Sequence, residues 1–450
     1  MKNQIYTLGI FWIGQICFFV LNFISSKQLE ARDYALYAIV LALIMFGMRF
    51  VEVGIGDFYL LKGTDKHLKT ILTINLIKGA IICCLFLVFS LFVDDFYEVS
   101  KISSFVFVVS FIFLIEPLKN PTFYRYYKEK RMIEVITIER VSYILSLVLG
   151  IFLMIEYKSV WVLVITYMLY FISQTAFSYV FLPVFPKAKF DKGYSLELIK
   201  FSKHIIGFIV LAYFMRQGLD LIIPKIIGID NFAIYSFTFL IGVSPTNFLI
   251  YPLNKLLFPI YTSVKKDELG ALLDQILSKS FLLILVLALA IYFVSPLVLE
   301  FFNHTTLFDY KLLGYVLLYT VIRGLTANLG IVFKSLNIQK IYNRILILEA
   351  SVIVITLLIF HKNVYYIILS LGLAMLVHFV VGLFVLSRYV KLSPKKLIIS
   401  VLLGSLLVSL QLFLSYNFKL DIILIVLNLT CFGIMLASLL FSLRTYFIRQ

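Results

Sequence analysis

Fourteen ionisable residues lie inside stretches of sequence that are otherwise apolar, and their chemistry most needs an explanation. The basic ones are Arg49, Lys78, Lys119, Arg140, Arg216, Lys255 and Arg323; the acidic ones are Glu52, Asp57, Glu116, Glu134, Glu139, Asp220 and Glu349. If these stretches cross a bilayer, each ionised group near its centre costs at least ~3 kcal/mol even on the lenient insertion scale, so such groups persist only where something compensates them. Spacing offers one compensation. Arg49 with Glu52 and Glu116 with Lys119 stand at i,i+3, and Arg216 with Asp220 at i,i+4, so each pair shares a helix face. Snorkelling offers another, since the stems of Lys78, Lys119 and Lys255 are long enough to reach headgroups. The third is a polar cavity lined by Arg49, Glu52, Arg216, Asp220, Asn247 and Lys255, with Ser244, Thr246 and Asn254 nearby in sequence. Guanidinium groups stay charged and donate bidentate hydrogen bonds, which suits a phosphate or pyrophosphate. Glu139 and Glu349 are candidates for proton or cation coupling, and equally for buried structural carboxylates.

The composition requires such a membrane setting. Of 450 residues, 62% are hydrophobic and 14% charged, against roughly 45 to 50% and about 25% in soluble domains. At about 20 residues per crossing this is material for about fourteen spans, with little left for a soluble domain. Apolar runs of helical length begin near Tyr6, Tyr34, Ile71, Ile102, Met132, Val160, Ile205, Phe232, Phe281, Leu312, Ile345, Val364, Leu397 and Ile422. The expected fold class is therefore an all-α polytopic membrane protein of about 14 transmembrane helices. The run from Tyr6 lacks a small-x-small cleavage site and reads as an uncleaved first span.

The formal charge of +16 would suggest nucleic acid in a soluble chain, but in this one it sorts by loop. Alternate connections, such as those with Lys62, Lys66 and Lys69 or with Arg125, Lys128, Lys130 and Arg131, carry twenty-five basic residues together with the termini, against eight in the opposite set. The positive-inside rule then places both termini in the cytoplasm.

An internal repeat organises the spans. KQLEARDYALYAIV from Lys27 aligns with KIIGIDNFAIYSFT from Lys225 at an offset of 198, which also carries Gly47 onto Pro245 and Gly54 onto Pro252. At offset 210, Phe123, Lys130 and Glu139 fall on Phe333, Lys340 and Glu349. Two six-helix lobes follow, at 1–203 and 204–390, with two additional helices at 391–450. Chance similarity among Leu-, Ile- and Phe-rich segments is the competing account, although charged and Gly/Pro positions agree too. Pro245, Pro252 and Pro259 recur every seven residues on one face of the eighth span and, with Gly47 and Gly54, are candidate hinges. The segment from Pro183 to His204 reads as a hinge linker with a short amphipathic helix.

Other chemistry is excluded by what is missing. No GxxxxGK[ST], HExxH or GxSxG motif occurs. Cys17, Cys83, Cys84 and Cys431 lie in apolar runs, so no disulfide, metal site or cofactor is expected. His378 lies in the twelfth span with no second ligand type near it in sequence. YRYYKEKR from Tyr124, between two spans, reads as a basic-aromatic anchor to anionic lipid.

The segments SSKQLEARDYALYAIVLAL, GIGDFYLLKG and RQGLDLIIPKIIGIDNFAIYSFTFLIGVSPTNFLIYPLNKLLFPIYTSVKKD resemble the polysaccharide flippases of the multidrug, oligosaccharidyl-lipid and polysaccharide exporter superfamily, of the O-antigen flippase kind. That resemblance implies two six-helix lobes around a cationic cavity with alternating access, Arg49, Arg216 and Lys255 matching its cationic positions. It implies a bacterial inner-membrane protein that moves an undecaprenyl-pyrophosphate-linked oligosaccharide to the outer leaflet, in company with a polysaccharide polymerase and a chain-length regulator. Many such flippases have twelve spans rather than fourteen, and the first span of this chain carries no basic residue. A cation-coupled drug antiporter of the same superfamily is the nearest alternative, disfavoured by cationic rather than net-negative walls. A glycan polymerase or glycosyltransferase is a further one, disfavoured by short external loops.

Overall fold

The computed structural model of the 450-residue chain describes residues 2–52, 54–129, 131–182, 189–214, 218–250, 253–254, 257, 260–262, 264–301, 307–360, 363–393, 395–418 and 421–448. Among these residues every regular element is helical. In chain order they are α1 (Lys2–Gln28), α2 (Ala31–Glu52), α3 (Ile55–Lys62), α4 (Leu68–Ser90), α5 (Val93–Tyr97), α6 (Ile102–Ser110), α7 (Ile112–Ile115), α8 (Thr122–Lys128), α9 (Met132–Tyr157), α10 (Val160–Phe181), α11 (Lys192–Phe214), α12 (Ile223–Ile227) and α13 (Ile229–Gly242), then α14 (Lys266–Phe301), α15 (Tyr310–Ser335), α16 (Gln339–Phe360), α17 (Val364–Leu386), α18 (Lys395–Phe418) and α19 (Asp421–Ile448). Helices are the expected solution in hydrocarbon, because each satisfies its own backbone hydrogen bonds.

Eleven of the described helical segments are long and apolar enough to cross a membrane, or twelve if the bent pair Ile102–Leu118 and Thr122–Lys128 is one span. This is fewer than the fourteen apolar runs, and the difference has local causes. Helix α11 starts with Lys192, Glu197, Lys200 and Lys203, so its apolar part is short, and α13 has only 14 residues. Whole faces remain uncovered by protein: Ile81, Leu85 and Val88 on α4, and Leu402, Leu406 and Leu410 on α18, are each more than half exposed. Stripes of that kind at helical spacing belong against lipid, since soluble proteins seldom leave large contiguous apolar patches in water.

The chain divides into two compact units, Met1–Ala233 and Ile234–Gln450. In the first, α9 packs between α1 and α10, while α4 packs on α6 and α7. Helix α11 also belongs to this unit. Tyr194 and Leu198 on its first turns join Phe58, Leu68 and Ile71 in an apolar cluster, with Phe201 against its edge. The i,i+4 and i,i+7 spacing of Tyr194, Leu198 and Phe201 makes this stripe. The expected amphipathic segment and the seventh apolar run are thus one continuous helix, and Asp191 accepts a hydrogen bond from the Tyr194 N–H at its start.

Breakers shape two spans of this unit. Gly54 has φ +72° and its ideal Cβ would lie 2.5 Å from Ser202 Oγ, so only glycine fits the left-handed joint between α2 and α3. Gly47, inside α2, leaves room for Phe113, whose ring would lie 2.2 Å from an added Cβ. The fourth span breaks into α6, α7 and a 3-10 turn at Glu116–Leu118, then bends by 57° into α8. Pro117 and Pro121 flank the bend and lack the N–H that would continue the ladder.

In the second unit α14 is the spine, contacting α15, α18 and α19, and α17 packs on α15 and α16. The two C-terminal helices are fastened by polar contacts. Asp274, 6% exposed on α14, accepts hydrogen bonds from the Lys396 and Leu397 N–H groups at 3.2 and 3.1 Å, capping α18 from a neighbouring helix. Farther along, Gln411 on α18 and Asn428 on α19 exchange two side-chain hydrogen bonds at 2.9 Å. Hydrogen bonds to a charged group contribute about 1.5 to 3 kcal/mol each. Asp274→Ala is therefore expected to loosen α18 and α19 while the first unit stays folded. Limited proteolysis in detergent should then cut first near residues 391–396; unchanged cleavage would show that the cap is dispensable.

Candidate functional site

The candidate site consists of the intramembrane polar groups, which the structure divides between the two units. Arg49 occupies the last turn of α2 with its side chain exposed, and among the described residues it makes no ion pair. Its neighbourhood is built by α11. The Tyr213 hydroxyl donates to the Ala42 carbonyl at 2.7 Å, and its ring packs on Phe46 at 5.3 Å. Asp220 is half-buried in the short 3-10 turn Gly218–Leu221, where the Tyr97 hydroxyl donates to Leu221 at 2.9 Å. The second span and the seventh helix thus meet at Tyr213, a residue that the sequence does not single out. Nothing in a lone Tyr at 213 marks it, because the apolar sequence around it gives no sign of the Ala42 carbonyl.

Arg216, Lys255, Pro252 and Pro259 lie outside the described residues, and so does the side chain of Glu52. Asn247 lies in a stretch of π-helix, Thr246–Ile250, just after the buried Pro245. A proline removes a hydrogen-bond donor, and π-turns are one way a helix absorbs the lost bond. Thr246 and Asn254 donate long hydrogen bonds of 3.4 Å to the Thr320 and Ala327 carbonyls of α15, and the Asn254 Oδ1 is buried without a partner among the described residues.

The other intramembrane charges are held by local contacts. Lys119 pairs with Glu116 at 2.7 Å, as their i,i+3 spacing predicts, with side chains 17% and 6% exposed. Lys78 donates to the Val51 carbonyl at 2.9 Å. Arg140 lies over the Phe11 ring at 4.7 Å and Arg323 over Tyr319 at 5.9 Å, both cation–π contacts. Glu139 on α9 is half-buried. Glu349 is 1% exposed, and its Oε2 lies 2.5 Å from Nδ1 of His378, itself 2% exposed. A carboxylate does lie beside His378, hidden in the sequence by the 29 residues that separate the two on α16 and α17.

At the loop ends the basic-aromatic segment folds back on protein. Arg125 binds Glu129 at 2.7 Å and Asp65 at 3.2 Å, and Lys128 donates to the Gly63 carbonyl at 2.6 Å while lying 5.6 Å from the Tyr59 ring. These residues line a cavity of about 620 Å³. In another loop, a hydrogen bond from Lys225 holds the Glu98 carboxyl below its ordinary range, aided by the ammonium charge.

The comparison that decides the family covers residues 27–306, which match the profile of polysaccharide biosynthesis protein, more than half of the chain. The chain belongs to that family. The resemblance drawn from the SSKQLEARDYALYAIVLAL and Pro-rich segments is thereby borne out at the level of the family. No curated protein matches the sequence. Among solved structures, the lipid II flippase MurJ in an inward closed conformation is similar at TM-score 0.73 and 12% identity, over 96% of this chain and 99% of that one. An inward-facing multidrug resistance MATE family transporter of the MOP superfamily gives 0.66 and 11%, over 83% and 95%. The Vibrio cholerae MATE transporter VcmN in its bent form gives 0.51 and 13%, over 89% and 98%. At such low identities these likenesses establish a shared multi-pass helical fold.

Proposed function

We propose that this protein is a flippase that moves an undecaprenyl-pyrophosphate-linked oligosaccharide repeat unit from the cytoplasmic to the outer leaflet, for O-antigen or capsule-type surface polysaccharide. The observation that carries the reading is Arg49, an exposed cation on a membrane-crossing helix that has no ion pair among the described residues, in a chain of the polysaccharide biosynthesis family. An intramembrane charge left for an external partner suits an anionic headgroup, and a guanidinium suits pyrophosphate. The likeness in fold to the lipid II flippase MurJ over 96% of this chain supports a flippase, and transport would proceed by alternating access through a cationic cavity. Glu52, Arg216, Asp220, Asn247 and Lys255 would complete the cavity lining. The breaks at Gly47, Gly54, Pro245, Pro252 and Pro259 would supply the bending. Lobes at 1–203 and 204–390, with 391–450 appended, describe the repeat that rocks. The polyprenyl tail would stay in lipid while glycan and pyrophosphate cross in the polar interior.

The protein would sit in the bacterial inner membrane with both termini cytoplasmic, delivering units to a polymerase and its chain-length regulator. We read it as a transporter rather than an enzyme, and as an exporter of an anion rather than a drug antiporter, since Arg49 disfavours organic cations. Deleting the gene is expected to leave completed lipid-linked units on the cytoplasmic leaflet, with surface polysaccharide lost and upstream glycosyltransferase activity intact. Leaflet-resolved detection of those units checks it: units on the outer leaflet that fail to lengthen would point to a polymerase instead.

A further inference from the structure

The transport reading uses Arg49 and leaves the most deeply buried ionisable pair of the described residues without a role. Glu349 on α16 and His378 on α17 are 1% and 2% exposed and joined through Oε2 and Nδ1. Their outer atoms, Glu349 Oε1 and His378 Nε2, are buried with no hydrogen-bond partner among the described residues. A pair retained only to hold two helices together should have its remaining polar atoms satisfied, because each buried orphan costs stability and native proteins rarely keep one. Both orphans belong to the same pair and both bind protons.

We infer that Glu349 and His378 form a proton-binding site that carries one proton through the transport cycle, an inference that rests on the flippase reading above. The physics is that of a sealed acid–base pair. With no proton the pair has net charge −1, with two it has +1, and with one it is neutral overall, whichever atom holds it. A net charge is costly to bury in a low-dielectric interior. Unloading needs water to reach Oε1 or Nε2, at which point an N–H or O–H bond at the pair breaks and one forms on water. Proton exchange is thereby tied to opening of the helices around the pair.

The surroundings leave that balance to the pair itself. On α16, Tyr342 sets its ring 5.4 Å from the imidazole, and Lys340 and Arg344 are exposed. Helix α15 presents Leu329 and Phe333 beside Gly382, one turn along α17 from His378. Of the cations on α15, Arg323 lies over Tyr319, Lys311 lies over Tyr365, and Lys334 is exposed. The titratable neighbours on α17 are Tyr365 and Tyr366 at the far end, where Tyr365 donates to Asp309. Among the described residues, neither Glu349 nor His378 has another ion pair.

Replacement of the whole pair by apolar side chains separates a structural role from a proton-carrying one. Exchanging a buried ion pair for packed hydrophobic groups is often neutral or stabilising, so Glu349→Leu with His378→Leu should keep membrane abundance within about twofold of wild type, while surface glycan falls about tenfold or more. Wild-type glycan export by the double variant would overturn the inference. Should the double variant fail to accumulate, infrared pH titration of the purified full-length protein decides instead. A protonated-carboxyl band should vanish in Glu349→Gln and shift in His378→Gln; a band unchanged by Glu349→Gln overturns the site. Failure of the flippase reading looks different, because lipid-linked units would then reach the outer leaflet even in the deletion strain.

Discussion

Arg49→Ala is expected to abolish delivery of lipid-linked repeat units to the outer leaflet while the protein's membrane level stays near wild type. Arg49 has no ion pair among the described residues, so its removal strands no buried carboxylate there. What is lost is its hydrogen bonding to an anionic substrate. Charge-assisted bonds contribute about 1.5 to 3 kcal/mol each, and a bidentate pair therefore corresponds to at least about a hundredfold in binding. Arg49→Lys should retain part of the activity, since a point charge persists without the fork geometry. The competing role is a structural partnership with Glu52 at i,i+3. In that case membrane level would fall in Arg49→Ala, and adding Glu52→Gln would restore both level and surface glycan. Membrane abundance and surface glycan measured for Arg49→Ala, Glu52→Gln and the double substitution decide between the two, and rescue by the double substitution would refute substrate binding by Arg49.

The neighbourhood of Arg49 also shows where sequence reasoning stops. Long apolar runs were legible because a bilayer demands them, and so was the Glu116–Lys119 pair, because one helix turn joins its members. A helix break was legible at Gly54, whose backbone chemistry is local, whereas the one at Pro117 was not singled out. Contacts between helices were not legible. Tyr213 meets Ala42 across 171 residues, and Glu349 meets His378 across 29, with no spacing rule to connect either pair. A periodic pattern reports which face of a helix is apolar, not which helix covers it. For the same reason the amphipathic start of α11 resembled a loose linker until Tyr194 and Leu198 were seen against Phe58 and Ile71.

Lys119→Met is expected to lower the membrane level of the protein sharply, through an effect on folding rather than on substrate. Glu116 is 6% exposed and Lys119 is the cation within 2.7 Å of its carboxylate. Removing one partner of a buried pair leaves the other charge uncompensated and typically costs roughly 3 to 5 kcal/mol. The site magnifies the damage. Glu116 opens the 3-10 turn that ends the fourth span, and Lys119 begins the bend toward α8, where its ammonium also lies 5.4 Å from the Phe123 ring. Next to it, Asn120 is fully buried; its side chain donates to the Leu182 carbonyl at 2.8 Å and accepts from the Thr122 N–H at 3.0 Å. Loss of the ion pair thus loosens the joint that fixes α8 on the end of α10. Glu116→Gln added to Lys119→Met removes the stranded charge and should recover most of the membrane level, because a neutral amide is far cheaper to bury than a carboxylate. Quantitative immunoblots of membrane fractions, with thermal unfolding in detergent, measure this. If Lys119→Met accumulates and melts like the wild type, the Glu116 carboxylate is compensated by something other than Lys119.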